Sequence, residues 1–196
     1  MRIEERLELL KEKVQTDDFL KRRGTVGEIA FYIFDYPPEK EMIIRETVRR
    51  LKSNLEKKLI HVLEIDLYDL CLELLDEKIS IDKVIEFEKN KGSKELFHKI
   101  EPILKPEVIR DVIKVKMQDR SLDLLFLTGV GKAWPMVRSH EILNNLQTVV
   151  DQVPMVMFYP GTWISNELSL FDKFMDNNYY RAFRLINGDL KEEVMK

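Results

Sequence analysis

The chain has 196 residues, of which 44% are hydrophobic and 34% charged, and its formal net charge is -3. Disorder needs low hydrophobicity with high net charge, so this composition excludes it and leaves room for one globular domain with a sizeable core. A pI near 5.8 gives no global electrostatic reason to bind nucleic acid, although a local cluster of Lys and Arg can still act.

The N-terminus, MRIEERLELLKEK, has no apolar stretch of the kind a signal peptide needs. It places Ile3, Leu7, Leu10 and Val14 at helical spacing, which predicts an amphipathic helix over residues 1–20. KRRGTVGE follows, with Gly24 and Gly27 as breakers. IAFYIF then reads as a strand with Asp35 at its end, and Pro37 and Pro38 lead into a helix carrying Ile44, Val48, Leu51 and Leu55 on one face. LIHVLEI is a second strand with Asp66 at its end, followed by a helix through LYDLCLELLDE. Residues 79–118 are charged and helical and read as an insertion. LDLLFL is a third strand, and LTGVGKAWPMVRSHEILNNL gives a glycine turn and a helix that Pro135 should open. VPMVMFY is a fourth strand that PGTW should halt, ISNELSLFDKFM reads as a short helix, and YYRAFRLI as a fifth strand.

Strands that alternate with helices and are nearly continuous apolar runs predict an α/β fold. The expected architecture is one domain over 1–196: an open, mostly parallel five-stranded sheet, Rossmann-like or degenerate P-loop-like, flanked by helices.

The glycine turn has the outline of a phosphate loop: a strand, a glycine turn and a helix. A P-loop requires G-x-x-x-x-G-K-[ST]. With Gly131 and Lys132 as its GK pair, the first glycine falls on Phe126 and the magnesium-binding hydroxyl on Ala133. A dinucleotide fingerprint fits Gly129 and Gly131 but meets Trp134 at the third glycine. Both matches are incomplete. The turn still lies at the carboxyl end of a strand, where ligand crevices of open α/β sheets occur, so Lys132, Arg138 and the following helix N-terminus form a candidate anion site.

Other chemistry is sparse. The single Cys71 sits in an apolar run, which suits a small buried residue, and the lack of disulfides fits a reducing, cytoplasmic compartment. His61, His98 and His140 show no metal-ligand spacing, and G-x-S-x-G is missing. No apolar stretch reaches the roughly 20 residues that cross a bilayer. Asp35 and Asp66 either cap the helices after their strands or together form an acidic site. Arg181 with its aromatic neighbours suits a partner contact or a sheet edge with the arginine stem on rings. Arg45, Arg49 and Lys52 on IRETVRRLK offer a DNA-facing surface or a solvated helix face.

FLTGVGKAWPMVRSHEILNNLQ, PMVMFYPGTW with LSLF, NYYRAFRL, and IFDYPPEKE with Arg45 resemble the BrxB family of bacteriophage-exclusion (BREX) defence systems along essentially the whole chain. The shared positions are Gly129, Gly131, Pro135, Arg138, Leu143, Leu146, Tyr159, Pro160, Gly161, Arg181 and Phe183. The resemblance implies a cytoplasmic, non-catalytic accessory subunit with no cofactor. It implies a PglZ-type protein as direct partner, alongside an AAA-type ATPase and a DNA methyltransferase, and it carries over no catalytic residues. The candidate partner- or ligand-binding residues are Gly129, Gly131, Lys132, Trp134, Arg138, His140, Tyr159, Gly161 and Arg181. A degenerate nucleotide sensor and a DNA-binding accessory protein are the alternatives.

Overall fold

The computed structural model describes residues 1–21, 30–118, 121–164, 167–176 and 182–187. The Gly24 to Gly27 turn, Arg181 and the polar tail after Asn187 lie outside the described residues.

Helices α1 (Ile3–Lys13) and α2 (Asp17–Leu20) precede strand β1 (Phe31–Tyr36). A 3-10 turn at Pro38–Lys40 leads into α3 (Glu41–Lys57), whose Ile44, Val48, Leu51 and Leu55 form the buried stripe that their spacing predicts. Strand β2 (Val62–Asp66) hands over directly to α4 (Leu67–Lys78) because the Asp66 carboxylate caps that helix, accepting from the Tyr68 and Asp69 amides. Helices α5 (Ile81–Lys91), α6 (Ser93–Ile100) and α7 (Pro106–Gln118) follow, then β3 (Leu124–Thr128), α8 (Val130–Ala133), α9 (Ser139–Leu146) and β4 (Met155–Ile164). The chain closes with β5 (Glu167–Leu170), β6 (Phe174–Asp176) and β7 (Phe183–Arg184).

The sheet order is β2-β3-β4-β1-β7, with every neighbour parallel along that path. The fold is therefore α/β with a mostly parallel sheet. Strand alternation sends Tyr32, Phe34, Phe126 and Phe158 to one face, where α1 and α3 cover them. Phe31, Ile33, Leu125, Leu127 and Met157 go to the other, under α4, α8, α9 and the packed residues Leu96, Ile100, Ile109 and Ile113 of α6 and α7. The charged middle region thus shares the core of one sheet face.

The structure departs from the sequence pattern at three places. Strand β4 does not stop at PGTW. Its last partner on β3 is at Met157, so the missing amide proton of Pro160 deprives no neighbour, and the strand runs on to pair with β5. ISNELSLFDKFM is not helical: residues 167–176 form the β5–β6 antiparallel hairpin, with Phe171 and Asp172 both at positive φ. Its apolar residues match a helical period, but Gly161 admits the close pairing of β4 with β5, since a β-carbon there would lie 2.0 Å from the Ser169 carbonyl oxygen. Finally, Pro135 does not open a helix. Gly129, at φ 70°, lets α8 start immediately after the strand; Trp134, extended as a residue before proline favours, ends it, and α9 begins only at Ser139.

Two polar residues are also placed against expectation. Asp35 caps no helix, and Arg6, a charged residue of the amphipathic α1, is fully buried with it. Arg6 Nη2 donates to Asp35 Oδ1 at 2.6 Å, and Arg184 reaches both carboxylate oxygens at 3.0 and 2.7 Å. The cluster welds α1 and β7 to β1.

Candidate functional site

The glycine turn sits at the carboxyl edge of the sheet, between the ends of β2 and β4. Under Gly129 lies Asp66: a β-carbon on the glycine would be 2.0 Å from Asp66 Oδ1. Lys132, on α8, points back into the same spot, with Nζ 2.7 Å from Asp66 Oδ2 and 3.5 Å from Asp69 Oδ1. The place where a P-loop would hold a phosphate is thus filled by the chain's own carboxylate, and Lys132 is engaged there. Arg138 lies elsewhere, at the N-terminus of α9, so the turn does not bring Lys132, Arg138 and a helix N-terminus together around one anion.

The second glycine serves the other side. Gly131 leaves room for Pro160 Cγ and the Phe171 ring, which a β-carbon would meet at 2.7 and 2.9 Å. Phe171 anchors the β5–β6 hairpin, and the hairpin carries Phe174 against Trp134, ring centroids 4.4 Å apart and stacked. Trp134 is joined to Pro135 by a cis peptide bond. A small cavity of about 90 Å³ opens here between Trp134, Arg138, Tyr159, Phe174 and Met175. Trp134 is 37% exposed, Phe174 44% and Met175 57%. Arg138 is exposed and has no ion-pair partner among the described residues. Tyr159 is buried beneath this platform, and His140 is half-buried on α9, with Nε2 3.9 Å from the Glu141 carboxylate.

The structure thus gathers Gly131, Trp134, Arg138, Tyr159 and Gly161 around one exposed aromatic platform, and turns Gly129 and Lys132 inward to Asp66. Phe174 and Met175 are not among the residues that the sequence points to, because a helical reading of the segment hides the hairpin; the alternation Leu168-Ser169-Leu170 is the available signal.

A wider crevice of about 700 Å³ lies across the strand ends between α3 and α4, lined in part by Tyr36, Arg45, Lys52, Glu64, Asp66 and Thr128. Its floor is carboxylate. Glu64 accepts from the Thr128 hydroxyl at 3.3 Å and faces Lys52 at 3.7 Å, while the Tyr36 hydroxyl donates to Glu41. Burial first, then the Glu41 charge, pushes the Tyr36 phenol above its ordinary range, so it stays a donor. No group of three or more His, Cys, Asp or Glu among the described residues could hold a metal ion.

A sequence profile described as BREX protein BrxB matches residues 63–185, from β2 through β7, and so includes the turn and the platform. A BREX protein BrxB of Bacillus cereus (strain H3081.97) is 43% identical over 189 residues, covering 95% of this chain and 98% of that protein. The chain belongs to the BrxB family. A second BrxB, from Escherichia coli O9:H4 (strain HS), is 36% identical over 185 residues, covering 94% of this chain and 92% of its own length. No solved structure matches this BrxB-family chain. None of its helices among the described residues is long and apolar enough to cross a membrane.

Proposed function

We propose that the chain is a non-catalytic accessory subunit of a BREX-type anti-phage system, working in the cytoplasm and docking on the PglZ-type component through the Trp134–Phe174 platform. The observation that carries this is the exposed aromatic stack beside Arg138, which has no ion-pair partner among the described residues. Aromatic residues and arginine are the types that dominate binding energy at protein interfaces, and a rigid stack loses little entropy on docking. The neighbouring strand-end crevice supports it from the other direction. Lys52 and Lys132, the cations nearest the strand ends there, are already engaged by Glu64 and Asp66, so the carboxyl edge suits a protein partner better than a phosphorylated ligand.

Co-expression with the PglZ-type protein followed by size-exclusion chromatography tests this. Co-elution at micromolar concentration is expected, with loss on Trp134→Ala and Arg138→Glu and melting temperatures held within a few degrees. Separate elution of the wild-type proteins would remove the proposal's support. The AAA-type ATPase and the DNA methyltransferase serve as comparison partners in the same experiment.

A further inference from the structure

On the other side of α3, α1 and α3 leave a groove of about 720 Å³ that shares only Met42 and Glu46 with the crevice and nothing with the platform. Along α3 it follows one stripe: Met42 and Ile43, then Glu46 and Thr47, Arg50 and Leu51, Asn54 and Leu55, ending at Lys57 and Lys58. That is the i, i+4, i+8, i+12 progression of a single helix face, and at about 1.5 Å per residue it runs roughly 24 Å. Its upper end exposes large apolar side chains, Met42 at 71% and Ile43 at 45%, although they stand outside the buried stripe that holds α3 to the sheet. Its floor is Leu51 and Leu55.

The rim is basic. Lys11 of α1 and Gln15 of the turn after it face Arg50 and Lys57 of α3, and Lys58 at its end, across the groove. The one carboxylate in the lining, Glu46, is already clamped by Arg49 at 2.8 Å and Arg50 at 2.6 Å. Lys58 is satisfied by the neutral amide oxygen of Gln15 rather than by an acid, and Lys57 has no ion-pair partner among the described residues. Arg50 is held by Glu46 and Lys11 by Glu8 of α1, at 2.7 Å, so the groove's positive charge without an acidic partner among the described residues lies at Lys57 and Lys58.

We propose that the α1–α3 groove is a docking site for an acidic amphipathic helix of a partner protein. Apolar side chains at i, i+3, i+4 and i+7 of the incoming helix cover Met42, Ile43 and Leu51, and flanking Glu or Asp residues meet Lys57 and Lys58. The groove's length fits about four turns of helix. Its apolar floor favours a protein helix over a nucleic-acid backbone, which offers phosphates but nothing to cover Met42.

The test uses the full chain and a fluorescent 18-residue probe with Leu at the apolar positions and Glu elsewhere on its flanks. A second probe has the same Leu pattern with Lys on its flanks, and a duplex DNA oligonucleotide serves as competitor. Anisotropy is expected to show the Glu probe binding at least tenfold more tightly than the Lys probe, and weakening as salt is raised from 0.15 to 0.5 M. Met42→Asp and the double variant Lys57→Glu/Lys58→Glu should each weaken it at least tenfold. All these positions are on the surface, and thermal melts confirm that the variants fold. Equal binding of the two probes overturns the proposal, as does Glu-probe binding that the variants leave unchanged. Displacement by DNA at lower concentration than by unlabelled Glu probe overturns it too, as does self-association of the chain that Met42→Asp abolishes, which assigns the stripe to a second copy.

Discussion

Gly129 has its α-carbon so close to Asp66 that a β-carbon would overlap the carboxylate, 2.0 Å from Oδ1 and 2.6 Å from Cγ. The same carboxylate caps α4 and holds Lys132. Gly129→Ala therefore both strains a left-handed residue and expels the cap. The expected loss is about 2–4 kcal/mol, or roughly 5–15 °C in melting temperature. Lys132→Ala, which removes only a partly exposed ion pair, should cost about 1 kcal/mol or less. Urea titration of both variants checks the order.

The Arg6–Asp35–Arg184 cluster holds two cations and one carboxylate, and Arg6 keeps Nε and Nη1 buried without a hydrogen-bond partner among the described residues. Removing the acid should be far worse than removing the buried base. Asp35→Ala strands a fully buried guanidinium and is expected to cost about 3–5 kcal/mol. Arg6→Met leaves Asp35 satisfied by Arg184 and should be close to neutral. Equilibrium denaturation that ranks these two the other way would show that Arg6, and not Asp35, anchors the cluster.

Leu59 ends α3 at φ 62° and is 80% exposed. The Leu59 amide donates to Glu56 and the Ile60 amide to Leu55, the double bond pattern in which glycine usually stands. A left-handed leucine costs about 1–2 kcal/mol, part of which glycine returns through the unfolded chain's greater freedom. Leu59→Gly is expected to stabilise the protein by about 0.5–1 kcal/mol, read as a higher urea midpoint at unchanged slope.

Burial pushes the Cys71 thiol up to about 12 from its ordinary 9.0, with the Asp66 charge a smaller cause. The folded value lies above the unfolded one, and the neutral form is the acid. The stability this group contributes is therefore intact below pH 9 and declines as the unfolded thiol ionises between pH 9 and 12. Cys71→Ser should flatten that alkaline decline. In the native wild type at pH 8, a thiol reagent should label Cys71 only at the rate of unfolding.

The sequence by itself determined the parts that depend on neighbours along the chain. The apolar stripe of Ile44, Val48, Leu51 and Leu55, the strand runs at 62–66 and 124–128, and the glycine turn that opens the platform were all legible, because helix and strand periods and turn chemistry are local. Only the tertiary structure decided what those elements meet. Lys132 found Asp66, 66 residues away, and Arg184 found Asp35, 149 away, because strand order brings those chain segments side by side. The β5–β6 hairpin was hidden for a related reason. Its tight turn uses Phe171 and Asp172 at positive φ where sequence rules look for glycine, and the room for it comes from Gly131 and Gly161 on other elements. A conformation costly to its own residues persists there because distant glycines let the surrounding structure hold it.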